Sequence, residues 1–297
     1  MSLSRNVPVV AYLQILAGAV LLSTGSSVIK AVSFNALELA AWRALVIALF
    51  LAAVIRPPRE CWNRALIPAA LAHAITTLLF MWGNKLTTAA IAIFLQYTAP
   101  LYLLLLGPWL LKEPVGRSDV AFVVLIAFGM VLLLLQPAAI SDTASNPGLG
   151  AVVAGLCGIA WAFTTLTMRD LSRRVPDGFQ RAIAAVIVAN VGLAALLLPV
   201  VGVPEAASLT DWVLVSYMGI FQLGCAFILV SLGLRRVTAL EGALLLLLEP
   251  LLNPVWAFFA HGEIPGGLVL AGGGLILAAS AARVVVNTRR AATQSLP

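Results

Sequence analysis

Ten apolar stretches, each about as long as a lipid bilayer is thick, divide this chain of 297 residues. A spanning helix needs about 20 mostly apolar residues. Runs of that kind fall at 7–29, 37–55, 65–83, 87–111, 119–136, 148–167, 180–201, 212–233, 239–260 and 266–286; they are numbered spans 1 to 10 below. Turn residues separate them: Pro57-Pro58, Asn146-Pro147-Gly148, Pro176-Asp177-Gly178 and Pro265-Gly266-Gly267, none of which continues a helix easily. Composition closes off a water-soluble fold, because only 10% of the residues are charged against about 25% in soluble domains. The first run is longer than the roughly 7–15-residue core of a secretory signal, so it reads as a retained span. The prediction is an all-α membrane protein.

Charge in the loops sets the orientation. Fifteen of the eighteen Lys and Arg lie in the N-terminal segment, the loops after spans 2, 4, 6 and 8, and the C-terminal tail; only Lys30, Arg43 and Lys85 fall on the other side. The positive-inside rule then places both termini in the cytoplasm, and an even number of spans requires the termini to share a side. The same distribution explains the net charge of +6 without nucleic acid. Cys61, Cys157 and Cys225 form no close-spaced metal pattern, and nothing in the sequence points to a metal or a cofactor.

The chain repeats itself at an offset of 150 residues. Pro100 and Glu113 recur as Pro250 and Glu263, Gly83 as Gly233, Thr88 as Thr238, Ala89 as Ala239 and Leu101 as Leu251. Five spans per half is an odd number, so the second half crosses the membrane in the opposite sense to the first. The loop charges follow: Lys112 stands beside Glu113, whereas Gly262 stands beside Glu263. These are the marks of an inverted-topology repeat, an arrangement that in transporters puts the binding site near the bilayer midplane between the repeats.

At the end of each half the chain resembles the EamA-type branch of the drug/metabolite transporter superfamily. The residues that carry the likeness are Thr98-Ala99-Pro100 with Lys112-Glu113-Pro114, Leu248-Glu249-Pro250 with His261-Gly262-Glu263, and Gly272-Gly273-Gly274 in the last span. The resemblance implies two five-helix repeats, 7–136 and 148–286, around a central cavity. It also implies alternating access between the two halves, a location in a bacterial cytoplasmic membrane, and export of small metabolites such as amino acids.

Several intramembrane residues could carry that chemistry. Pro100, Pro250 and Pro254 each remove a backbone hydrogen bond and would free the carbonyls of Gln96, Leu246 and Pro250, so they read as hinges or as packing kinks. Glu249 sits mid-span, where an ionised carboxylate costs about 2.5–3.5 kcal/mol on insertion scales. It and His73 are the candidates for proton coupling; Glu249 could equally hold a substrate amine or serve as a structural acid, and His73 could be a packing residue. The candidate cavity lining is Gln96, Tyr97 and Thr98 on span 4, His73 and Thr77 on span 3, Trp161 and Thr165 on span 6, Gln222 on span 8, and Glu249 and Asn253 on span 9. Tyr and Trp join an apolar face to a donor, which suits an amphipathic solute. The other tryptophans fall near span ends and read as an interfacial belt. Arg43 reads as an anchor whose stem snorkels toward the interface.

The function that follows is secondary transport of a small amphipathic solute, with lipid, a small-molecule substrate and protons as partners and a monomer or homodimer as the unit. A passive channel or a non-catalytic membrane subunit remains open as the alternative. A membrane-embedded enzyme lacks its motifs: there is no His-Glu-x-x-His, no nucleophile elbow and no P-loop.

Overall fold

The computed structural model describes residues 9–103, 117–135, 143–173, 178–237 and 239–294. The described residues are helical throughout apart from turns and loops, with no strand among them. Seven helices are long and apolar enough to cross a membrane: Val9–Ala31, Ala36–Val54, Arg64–Leu86, Pro147–Met168, Gly178–Val201, Leu209–Leu234 and Leu244–His261. Three shorter apolar helices, Ala89–Leu103, Val120–Leu135 and Gly267–Ala282, occupy the places of spans 4, 5 and 10. Helices 6 and 10 run on past the apolar stretch, to Arg173 and Gln294.

Polar caps start the helices where the sequence leaves lipid. Before span 2, Asn35 Oδ1 accepts the backbone N–H of Leu37 and Glu38 at 2.9 and 3.0 Å, and Glu38 accepts from the Asn35 N–H at 2.8 Å. Ser208 and Asp211 form the same reciprocal box at the start of span 8. Each box satisfies donors that a helix start leaves without partners.

The loops that join spans 1–2, 3–4, 5–6, 7–8 and 9–10 are linked at one end of the molecule. Lys30 Nζ donates to the Thr87 carbonyl at 2.7 Å and to the Thr143 carbonyl, and pairs with Glu263 Oε1 at 3.0 Å. Lys85 donates to the Val32 carbonyl. Asn146 N–H reaches the Leu86 carbonyl at 3.1 Å. Asp211 accepts from the Ser33 N–H and hydroxyl at 2.7 and 2.9 Å, and Trp42 Nε1 donates to the Gly202 carbonyl at 3.1 Å. Spans 1 to 10 therefore alternate in direction. Span 1 ends at this linked end and span 6 begins there, so the two repeats are inverted.

Helix pairing follows the repeat. Span 3 packs on span 6, and its counterpart, span 8, on span 1; span 4 packs on span 6, and span 9 on span 1. Spans 2 and 7 pair with each other, as do spans 5 and 10, and spans 4 and 9. Exchanging each span with the one five later leaves this pattern unchanged. The principal partners of each helix lie in the other half of the sequence. The compact units are thus two trios, spans 3, 4 and 6 and spans 8, 9 and 1, and not two sequence-continuous bundles of five. Small residues permit this. Gly158 lies so close to span 4 that a Cβ there would fall 2.6 Å from the Leu95 carbonyl oxygen, and Gly129 and Gly272 bring spans 5 and 10 equally close. The ridge Ala154-Gly158-Ala162 is buried against the trio, whereas Gly274, Ala278 and Ala282 do not pack as a ridge: Gly274 meets nothing within 4 Å.

Candidate functional site

The sequence interrupts three helices at the middle of the bundle. Span 4 stops at Gln96, turns through Tyr97 and Thr98, and resumes at Ala99. Span 9 stops at Leu246, turns at Leu247 and resumes at Leu248. The two turns are 150 residues apart, each three residues before the repeated proline, as expected when a proline crowds the carbonyl four residues back. The turns are tightened by short-range bonds, Thr98 N–H to Leu95 O and Leu247 N–H to Leu244 O, each 3.2 Å. Pro254 behaves differently: it lies inside the continuous helix Leu248–His261, so span 9 breaks before Pro250 and not before Pro254.

The two breaks meet. Tyr97 Oη donates to Glu249 Oε2 at 2.9 Å and lies 3.4 Å from the Leu246 carbonyl, one of the groups that the proline frees. The tyrosine of one repeat thus serves the acid and the open backbone of the other.

Within the trio of spans 3, 4 and 6, polar groups tie the helices together. Thr76 and Thr164 share a hydrogen bond of 2.9 Å. Cys157 Sγ lies 3.6 Å from both the Thr76 carbonyl and Gln96 Oε1. Thr98 is fully buried and bonds back to the Leu95 carbonyl at 2.6 Å. His73 and Thr77 are buried, and His73 Nε2 has no hydrogen-bond partner among the described residues. On span 6 the exposed residues Leu149, Val152, Leu156 and Phe163 mark the lipid-facing side. At about 100° per residue, Trp161 and Thr165 fall on the opposite side, yet Trp161 is 36% exposed and Thr165 is exposed too. Thr164 and Gly158 on either side of them touch spans 3 and 4. Trp161 and Thr165 therefore face an interior recess between those spans.

The trio of spans 1, 8 and 9 holds the third break, which hydropathy did not announce. Span 1 is interrupted at Thr24. Around it, Asn253 Nδ2 donates to the Ser23 carbonyl at 3.2 Å and to Ser26 Oγ at 2.9 Å, Trp256 Nε1 donates to Ser23 Oγ at 2.8 Å, and Gln222 Nε2 donates to the Leu22 carbonyl at 3.3 Å. Thr24 Oγ1 and Tyr217 Oη are 3.1 Å apart. Gln222 lies in a π-helical segment, Met218–Cys225, a local widening of the helix that is frequent at functional sites. Tyr217 and Trp256 join the polar set that sequence reasoning assembled, beside Ser23 and Thr24, which the sequence already marks as polar residues of span 1. The run Ser23-Thr24-Gly25-Ser26-Ser27 was the signal for the break. Trp256 is no belt residue; it clamps span 1.

The structure thus gathers Tyr97 and Glu249 at the contact of the trios, Gln96, Thr98, His73, Thr77, Trp161 and Thr165 on one trio, and Gln222 and Asn253 on the other. It corrects Arg43. That side chain does not snorkel: it is 5% exposed, and its Nη1 points to Met81 Sδ at 3.8 Å.

Across the linked end, Glu263 is more than a loop contact. Its Oε2 accepts the Ala89 N–H at 2.9 Å, at the start of span 4, while its Oε1 holds Lys30; the two side chains are 9% and 2% exposed. Hydrogen bonds between the trios therefore occur at mid-depth and at this end.

The family profile described as the EamA-like transporter family matches residues 9–135 and 148–283. A protein described as an uncharacterized transporter from Methanothermobacter thermautotrophicus is 26% identical over 198 residues, 67% of this chain, and the chain spans 57% of that protein's length. A crystal structure of another protein aligns with a TM-score of 0.63 at 19% identity, covering 94% of this chain and 98% of its own, a likeness of fold alone. Two matched repeats, interrupted helices that meet at mid-depth and a recess beside them agree: the chain belongs to the EamA-like transporter family and is an integral membrane protein.

Proposed function

We propose that this protein is a secondary transporter that exports small amphipathic metabolites, such as amino acids, by alternating access. The observation that carries the reading is the meeting of two repeat-related helix breaks at the Tyr97–Glu249 contact, with further bonds crossing between the trios at one end. Inverted repeats make such a device reversible, since the arrangement that closes one end can form at the other with the roles of the repeats exchanged. In this reading the trios rock against one another about the Tyr97–Glu249 contact. The ties of Lys30 and Glu263 to the start of span 4 hold one end shut and release when the recess opens there. The linked end faces outward and the arginine-rich end faces the cytoplasm of a bacterial cell, in its inner membrane.

Each polar residue then has a part. Trp161 offers a ring to an apolar substrate group. Gln96, Thr77, Thr165, Gln222 and Asn253 offer hydrogen bonds. Glu249 takes an amine or a proton, with His73 as a second proton site. Residues 7–136 and 148–286 act as the two repeats of a unit that works as a monomer or a homodimer.

Counterflow in liposomes tests the proposal. Purified protein loaded with an unlabelled amino acid should accelerate uptake of the labelled one, with a rate that saturates. Flux linear in concentration with no counterflow assigns a channel and removes the carrier reading. Proton coupling has its own test: if uptake after a pH jump stays fully proton-responsive with both Glu249 and His73 replaced, coupling does not run through these residues.

A further inference from the structure

We propose that Arg43 is a binding residue for the carboxylate of the transported solute; this rests on the transporter reading above. The guanidinium lies inside the bundle on span 2, 5% exposed. Among the described residues no carboxylate pairs with it. Its Nη1 meets only the thioether sulfur of Met81 at 3.8 Å, a weak acceptor, and its Nε has no partner at all. His73 lies on the same helix as Met81, about two turns away, and its Nε2 is also buried and without a partner among the described residues. The two residues precede Ala44 and Ala74, which pack in one apolar cluster with Leu193 and Ala194 of span 7. The cation lies between spans 2 and 3, and it cannot lose its charge, because guanidinium stays protonated in proteins.

A buried charge without a counter-ion is strongly unfavourable, and native structures avoid it by pairing. Here the described residues supply no pair, which leaves the position open to the carboxylate of a solute. One guanidinium beside one imidazole balances one negative charge. A doubly charged phosphate would leave a surplus in a medium of low dielectric constant. The planar fork of an arginine fits the two oxygens of a carboxylate, which a spherical halide cannot use. His73, on the same face of span 3 as Thr77, links this position to the polar set of the recess.

Thermal melting of the full-length protein in detergent tests the assignment, with sodium phenylacetate as the probe and phenylacetamide and sodium chloride at equal concentration as controls. A ligand that binds only the folded state raises the melting temperature by mass action. We expect a saturable rise with phenylacetate and none with phenylacetamide. The rise should vanish in Arg43→Gln and persist in Arg235→Gln at the arginine-rich end. An equal rise with chloride assigns a simple inorganic anion and overturns the carboxylate class. A rise retained in Arg43→Gln, or one equal for phenylacetate and its amide, overturns the site. If Arg43→Gln does not fold, Arg43→Lys decides: it keeps the charge and loses the fork, so half-saturation should need about tenfold more phenylacetate, and an unchanged value overturns the proposal. Counterflow separates this from the reading beneath it. A saturable phenylacetate rise that Arg43→Gln abolishes, in a protein without counterflow, removes the carrier and leaves the anion site standing. Counterflow with the rise retained in Arg43→Gln does the reverse.

Discussion

Spans 4 and 9 carry the same backbone device and live in different surroundings. Each turns three residues before a proline, at positions 150 apart. In its described part, span 4 exposes no residue and packs on spans 3, 6, 9 and 10. Span 9 turns Leu251, Val255, Phe258 and Phe259 outward, so it forms part of the lipid-facing wall. The turn of span 4 is written in Gln96, Tyr97 and Thr98, that of span 9 in leucines. The acid, Glu249, sits where span 4 has Ala99. The repeat preserved the break and divided the chemistry: one copy brings the hydroxyl donor, the other the carboxylate and the open carbonyl. Neither copy is complete without the other.

The largest effect should come from cutting the link between the end of span 9 and the start of span 4. Glu263→Gln leaves Lys30 buried without its counter-ion and weakens the acceptor for the Ala89 N–H; removing one partner of a buried pair costs about 3–5 kcal/mol. Thermal or denaturant unfolding should register that loss, and Lys30→Gln in the same background should add far less than it does alone. Additive losses would mean that the two side chains do not act as a pair.

Next in size is the acid itself. Glu249→Gln keeps an acceptor for Tyr97 and removes the titratable group, so pH-driven uptake should fall at least about tenfold (1.4 kcal/mol) while counterflow continues. If pH-driven uptake and counterflow decline together, the carboxylate serves substrate binding and not coupling. The prolines come third, and they sharpen the comparison most directly. Pro100→Ala and Pro250→Ala each allow a helical hydrogen bond to re-form, and each should slow counterflow several-fold. Pro100→Ala should act more strongly because its helix is enclosed by neighbours; equal effects would show that enclosure does not matter. The smallest change is Tyr97→Phe, which removes one hydrogen bond worth about 0.5–1.5 kcal/mol. It should lower the melting temperature by a few degrees, and no shift at all would mean that water replaces the hydroxyl.

The span positions and the inverted repeat were open to reading because lipid imposes them. Hydrocarbon thickness sets the apolar length, and the loops must carry the turn residues and the charge. The paired prolines marked two of the three breaks for the same reason: the missing N–H is a property of the residue. The break at Thr24 had only the run of small polar residues around it as a signal, and the π-helical segment opposite it had none, because both depend on which side chains, Asn253, Trp256 and Gln222, reach the loosened backbone from other helices. Pro254 misled for the converse reason, since its neighbours keep the helix continuous. Arg43 could have reached the interface by length alone; its packing against Met81 of span 3 keeps it inside. The pairing of each helix with the opposite half was hidden as well, because the fit of Gly158 against Leu95 or Gly129 against Gly272 is a matter of shape between segments far apart in sequence.

The interleaving of the two repeats bears on how the molecule is made. Span 1 waits for span 8, and span 3 for span 6, so the first half emerges from the ribosome before its mates exist. Early insertion yields threads in the bilayer that hold their places without their final neighbours, and the native assembly closes only after the second half arrives. Two separately synthesised halves should accordingly find each other in the membrane and rebuild the native assembly, whereas either one alone lacks the principal partners of its helices.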